Sequence, residues 1–374
     1  ILYLRWHGED AAGSGLRDEF AIDNITLSNF QFVPNLNWRP SPSGDTAWNA
    51  SDGDNWLNTI TNSTAGFSDG SNVAFTNVGV GPVTIAPEGV SPGSIVVSNT
   101  TGTYTFSGGP IGGAASLMKS GAGTVVLGSP NTYAGSTIVS GGTLKLNAAG
   151  AISRQSAIEL AGGTLNTGGF DQTFGTLKLS ASSTLDLASG GSSVHFSAST
   201  GNAWTGTLSI ANWVYGATHW YVGDGGAAGL TALQRSEIHF ADFSSGASLV
   251  PSTGEVVPLV GDTDQNGALE SGDIAALLQG LTNRAAFKSA RQASAPNFSD
   301  ADVRFILDVN LDDKVDNTDI QALLYMLRPQ PGGSDNIVPE PPAWAICLPG
   351  AIAFAALWRR RFKIEHESQV TAVA

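Results

Sequence analysis

Cysteine is all but absent from this chain of 374 residues. Cys347 stands alone, so no internal disulfide framework can hold the fold. Charge is scarce as well: Asp, Glu, Lys and Arg make up 13% of the residues, with 18 basic against 32 acidic and a formal net charge of −14. So little lysine and arginine excludes nucleic acid as a partner, because phosphate backbones are bound through those side chains. Acidity of this kind points instead to bound calcium or to carboxylates that keep an exported chain soluble. Long apolar runs are missing too, apart from one at 343–358. Glycine is in excess, with 46 residues. Low charge with abundant Gly, Thr and Ser implies short stacked strands and tight turns rather than a helical enzyme. The length allows two or three domains. The first residue is Ile1 and no leader is recognisable, so if the chain is exported its leader is expected upstream.

Residues 1–33 are expected to be the end of a truncated β-sandwich. A strand at 1–6, an acidic Gly-rich turn at 8–15 and an alternating strand at 20–27 make it up. The phrase Phe20-Ala21-Ile22-Asp23-Asn24-Ile25 is similar to the closing strand of jelly-roll-like domains in exported proteins. Asp23 and Asn24 fit a strand-end turn better than a metal site. Residues 34–116 are expected to begin a β-solenoid, with strands at 73–75, 83–85, 94–97 and 104–106 separated by Gly, Pro and Asn. Trp38, Trp48 and Trp56 lie in polar surroundings, where aromatics can stack on sugars. A solenoid end must be covered, however, and plugging that end is the expected role.

Residues 117–196 form the body. Leu117-Met118-Lys119-Ser120-Gly121-Ala122-Gly123-Thr124 is followed by Asn131-Thr132-Tyr133-Ala134-Gly135-Ser136-Thr137 and by Gly141-Gly142-Thr143-Leu144. This succession resembles the autotransporter-associated β-strand repeat over 117–147. Gly162-Gly163-Thr164-Leu165, Gly175-Thr176-Leu177 and Ser183-Thr184-Leu185 continue the cadence. Strands this short cannot bury a core alone. Stacked as coils of a parallel β-helix, they line up Val, Leu and Ile in one column, with Gly-Gly at the corners. Gly121-Ala122-Gly123 is no phosphate loop, since neither a helix nor Lys-Ser/Thr follows. Residues 197–259 are expected to cap the body, with a short helix near 231–236. His195, His219 and His239 have no nucleophile or carboxylate at a recognisable spacing and are expected to be structural.

Between 260 and 329 helical periodicity replaces strand alternation. Two twelve-residue loops recur, the second displaced by 46 positions. Asp262, Asp264, Asn266, Glu270 and Asp273 match Asp308, Asn310, Asp312, Asp316 and Asp319 at positions 1, 3, 5, 9 and 12. Ala268 and Lys314, at position 7, offer backbone carbonyls. Such spacing gathers oxygens around one point, as Ca²⁺ requires. Ile274, Leu277, Leu278 and Leu281 follow the first loop, and Ile320, Leu323, Leu324 and Leu327 the second. Asp at position 12, with no helix leading into the first loop, resembles a type I dockerin. That resemblance implies two Ca²⁺ sites and docking to a cohesin-like domain. Asp313 stands where the turn favours glycine, at a cost of ~1 kcal/mol, so the first site is expected to be the stronger. Ser299 is expected to cap a helix running to Leu307.

After a Pro-Gly linker at 330–338 comes the apolar run. At 1.5 Å per residue it makes roughly 24 Å of helix, a little short of a ~30 Å hydrocarbon core. Trp344 and Trp358 stand at its ends, and Arg359, Arg360 and Arg361 would keep its C-terminal side cytoplasmic. A buried core helix is the plainer alternative, but Pro349 and the all-round apolar character disfavour it. Pro339-Glu340-Pro341, the short apolar helix and the arginines together resemble the PEP-CTERM sorting tail, over 339–362, with 363–374 left as a cytoplasmic tail. This implies recognition and processing by an exosortase-like membrane protease.

The expectation is therefore a mainly β protein: a short-strand parallel β-solenoid, a small helical calcium-loop pair and a C-terminal transmembrane helix. It would be a non-enzymatic exported surface protein of display or adhesion type. Alternatively, it would be the accessory part of a carbohydrate-active enzyme or polysaccharide-binding adhesin whose functional domain lies upstream. Extracellular polysaccharide is a candidate partner, and a cohesin-bearing scaffold is a third possibility.

Overall fold

A computed structural model describes residues 35–50, 54–223 and 229–328. The expected β-sandwich end at 1–33, the linker, Pro339, Glu340, Pro341, the apolar run and Arg359 to Arg361 lie outside the described residues. Among the described residues, no helix is long and apolar enough to cross a membrane.

The chain winds into a parallel β-solenoid of about 7 turns. From Asn72–Phe75 to Ile238–Phe240, successive strands alternate between two sheets, so each coil gives one strand to each sheet. Side-chain bonds between adjacent coils span 19 to 21 residues through the repeat region. In the second sheet Val125 pairs with Leu144, Leu144 with Leu165, Leu165 with Leu185, Leu185 with Ile210 and Ile210 with Phe240. All six are buried. The expected column of apolar side chains is thus one rung of a single ladder, and fully burying each contributes about 1.5–3 kcal/mol.

Corners need glycine where coils pass closely. Gly121 has φ +68°, and a Cβ there would lie 2.5 Å from the carbonyl oxygen of Asn99. Gly142 has φ +60°, and its Cβ would lie 2.2 Å from that of Gly123. Polar side chains inside the stack tie coil to coil. Asn131 accepts from the Ile111 N–H at 2.7 Å and donates to the Ala151 carbonyl at 2.7 Å.

The N-terminal end is closed by aromatic rings. Trp38, Trp48 and Trp56 are buried to 1% exposure or less. Trp56 meets Trp38 at 5.0 Å and Trp48 at 5.5 Å, and Trp48 also meets Phe67 at 5.5 Å. No face of these rings is offered to a sugar, so the plugging role holds. At the other end the parallel pattern stops: Glu255–Pro258 pairs antiparallel with both His219–Val222 and Ala247–Val250. The short helix α1, Ala232–Ser236, forms as expected, with Thr231 and Gln234 in a capping box.

The lysine of the repeat motif is a finding the motif alone did not announce. Lys119 is fully buried, and its ammonium donates to the carbonyls of Ser120, of Gly121 at 2.7 Å and of Gly141 at 3.3 Å. It staples its own corner to that of the next coil. Burial lowers its pKa to about 8. The unfolded chain therefore binds this proton more tightly than the folded one, so stability should rise as pH climbs from about 8. Above about pH 10 the buried hydroxyls of Tyr104 and Tyr133, whose pKa values burial raises, act in the opposite sense. Chemical denaturation should thus show about 1 kcal/mol more stability at pH ~9.5 than at pH ~7.5. Lys119→Met should be less stable, through its unsatisfied carbonyls, and should lose that rise. A flat profile in the native chain would contradict the burial of the charge.

Candidate metal centre

Four helices follow the solenoid: α2 (Ser271–Thr282), α3 (Arg284–Gln292), α4 (Asp300–Leu307) and α5 (Asn317–Met326). Ser299 caps α4 through the Asp302 N–H at 3.2 Å, as the sequence implies. The long stretch after α2 holds α3, whose Phe287 is buried. At Gly280 of α2 a Cβ would lie 2.3 Å from the Leu307 side chain, so glycine permits the close approach of α2 to α4.

The two acidic loops fold alike. In the first, the N–H of Asn266 reaches the carboxylates of Asp262 and Asp264, both at 3.1 Å, and Ala268 N–H reaches Asn266 Oδ1 at 2.8 Å. Asp273 accepts from Asp264 N–H at 3.2 Å and from Glu270 N–H at 2.7 Å. In the second, Asp312 N–H reaches Asp308 at 3.0 Å and Asn310 at 3.1 Å, and Lys314 N–H reaches Asp312 at 2.9 Å. Asp319 accepts from Asn310 at 3.3 Å and Asp316 at 2.8 Å. The displacement seen in the sequence is thus a displacement of five matching hydrogen bonds.

Glu270 and Asp316 carry a further role. Each is the N-cap of its helix, α2 or α5, in a capping box closed by the position-12 aspartate. The helices therefore start before position 12, and Asp273 and Asp319 belong to the first turn. A left-handed residue stands at the turn position of each loop: Gly267 at φ +86° and Asp313 at φ +65°. The expected strain at Asp313 is present in the backbone.

Asp262, Asp273, Asp308 and Asp319 are at most 1% exposed. Burial raises the pKa of Asp262, Asp273 and Asp319, against the opposing backbone hydrogen bonds. It pushes Asp308 up to about 6. Carboxylates held out of water favour a cation beside them. In the first loop Asp262, Asp264 and Asp273 bring carboxylate oxygens within 4.8 Å of one another. Oxygens across a bound Ca²⁺ lie up to ~5 Å apart, so these fit around one such ion. The donor set is oxygen only, as hard divalent cations prefer. The second loop has Asn310 in place of the second carboxylate.

Sequence patterns missed the partners outside the loops. Ser244 donates to Asp262, and Gln265 accepts from the Ser244 N–H at 2.9 Å. The Tyr215 hydroxyl donates to Asp308 at 3.0 Å. Both position-1 aspartates are therefore held by hydroxyls from the solenoid cap. Arg291 of α3 donates to the backbone carbonyls of Thr263 and Asp264. Around these contacts Trp213 meets Phe305 at 5.0 Å and Phe240 at 5.4 Å, and Phe243 meets Phe298 at 6.0 Å. No spacing rule reaches from position 215 to position 308. The histidines are likewise occupied structurally: His219 bonds Glu255 at 2.7 Å, and His195 stacks on Tyr221 at 4.4 Å.

A model of the passenger-associated-transport-repeat matches residues 117–146. The match falls on the residues that resemble the autotransporter-associated repeat. Together with the β-solenoid it fits an autotransporter-type surface passenger protein. Comparison with curated proteins and with solved structures found no match.

Tyr215→Phe keeps the ring against Phe305 but removes the bond to Asp308. Losing a hydrogen bond to a charged acceptor costs about 1.5–3 kcal/mol. Thermal unfolding followed by the helical circular dichroism signal should shift downward accordingly. No shift would mean that this hydroxyl does not hold the helices to the cap.

Proposed function

We propose that the chain is a non-enzymatic, exported bacterial surface protein whose solenoid projects a display or adhesion surface. The observation that carries this is the repeat match at 117–146 lying inside a parallel β-solenoid. Stacked coils make a rigid rod without disulfides, which suits a chain with a single cysteine outside the cytoplasm.

The helical pair is proposed to bind two Ca²⁺ ions. Asp262, Asp264, Asn266, Glu270 and Asp273, with the Ala268 carbonyl, would hold the first. Asp308, Asn310, Asp312, Asp316 and Asp319, with the Lys314 carbonyl, would hold the second. The ions would neutralise the buried carboxylates and tie each loop to the start of its helix. The three gathered carboxylates of the first loop, and the glycine at its turn, support the ranking of the first site above the second. A dockerin-like use, with a cohesin-like partner, remains part of this proposal. So does PEP-CTERM sorting by an exosortase-like protease through Pro339, Glu340, Pro341 and Arg359 to Arg361, with the apolar run in the membrane before processing. The accessory role beside a carbohydrate-active domain is the alternative, and a glycosidase carboxylate pair elsewhere in the full gene would favour it.

Protease shaving of intact cells that express the full gene should degrade the solenoid from outside, or the chain should be found in the medium. Retention in the cytoplasm would overturn the assignment. Calorimetric titration with Ca²⁺ should show two binding events. Asp273→Asn should weaken the tighter one at least tenfold, and Asp319→Asn should weaken the other. Absence of any calcium-dependent heat would remove the metal from the account.

A further inference from the structure

One corner of the solenoid is concave. A groove of about 780 Å³ runs over Thr132, the loop carrying Arg154 and Gln155, Thr173, Ser193 and His195. These residues come from four successive coils, so the groove follows the solenoid axis. Its origin lies in the strand Gln172–Ala181, which serves two neighbours with different halves. Residues 177–181 pair with Ile158–Ala161 of the preceding coil, while residues 172–176 pair with Ser193–Ser197 of the following one. On the preceding coil, the front half of this strand faces the loop that carries Arg154 rather than a strand. The sheet steps sideways there and leaves a trough.

Its floor carries the outward side chains of Thr173 and His195, and Tyr221 stands on the next coil beyond it. Thr173 pairs with His195, and His195 pairs with Tyr221. The His195 and Tyr221 rings lie nearly parallel, 13° apart. Neighbouring strands are ~4.8 Å apart, close to the advance of one pyranose unit along an extended glycan. A linear polysaccharide laid along the trough would meet hydrogen-bonding side chains on successive coils, Thr173 on one and His195 on the next. Arg154 is exposed on the trough wall, with no hydrogen bond or ion pair among the described residues, in a chain of net charge −14. Asp171, the acidic group in the trough, already accepts the Ser193 N–H at 2.8 Å. The side chain of Gln172 is buried beneath, and its Oε1 has no donor among the described residues.

We propose that this groove binds a linear, carboxylate-bearing oligosaccharide of three or four sugar units, with Arg154 meeting a carboxylate and Thr173, Ser193 and His195 meeting the rings and hydroxyls, the His195 ring being held by its stack on Tyr221. The site is independent of the acidic loops, and its failure would leave the surface-passenger assignment untouched.

Calorimetric titration of the full chain with tetragalacturonate, and with the neutral galactose tetramer as its counterpart, tests this. The acidic sugar should bind, and Arg154→Gln should weaken it about tenfold, as loss of one charged hydrogen bond implies. Thr173→Tyr, which fills the trough, should abolish binding of both sugars. Both positions are exposed, so circular dichroism of the variants should be unchanged. No heat with either sugar, or affinities untouched by both variants, would overturn the proposal. Equal binding of the neutral sugar would overturn the role of Arg154. Equally strong competition by polyglutamate would overturn the assignment to glycans.

Discussion

Everything in this molecule depends on strands too short to bury a core by themselves. Four residues expose two side chains to each face, and neither the hydrogen bonds nor the apolar surface of one coil is satisfied without the next. Stability therefore accumulates along one axis, coil by coil, through ladders such as Val125, Leu144, Leu165 and Leu185. The same constraint makes the two ends the weak points, since the first and last coils each lack a neighbour. One end is closed by three tryptophans, the other by an antiparallel hairpin and a set of helices. The two solutions differ because the N-terminal plug is built from rings already in the coils, whereas the C-terminal one brings in a separate periodicity.

The body was legible in the sequence because its signals are local. Glycine pairs mark corners, and alternating Val and Leu mark the inward face. The cap helix near 231–236 and the helix after Ser299 were legible for the same reason, since capping residues stand beside the turns they start. The acidic loops were legible in their spacing and in their duplication. What escaped was non-local. Lys119 looks like a surface residue in any window of sequence, yet three carbonyls from two coils surround it. Tyr215 and Ser244 reach aspartates far along the chain, and only the three-dimensional arrangement pairs them. The role of Glu270 and Asp316 as helix caps was hidden behind their apparent role as oxygen donors.

The acidic loops show how a local motif is drawn into the wider fold. Each position-1 aspartate faces its loop with one side and receives a hydroxyl from the β cap on the other. The aromatic cluster of Trp213, Phe240, Phe243, Phe298 and Phe305 fills the space between. Any change in charge at the loops is therefore felt at the face where the helices meet the last coil, and any loosening of that face reaches the loops. The helices and the solenoid share one buried cluster, rather than meeting as beads on a string.

The closed ends have a consequence for how copies of the chain behave together. An uncovered terminal coil would present a row of free N–H and C=O groups, together with the apolar column behind them, as a template for a strand of another chain. Loss of the hairpin and helices would bare one such edge while the tryptophans still close the other, so two bared ends could pair but no head-to-tail series would grow.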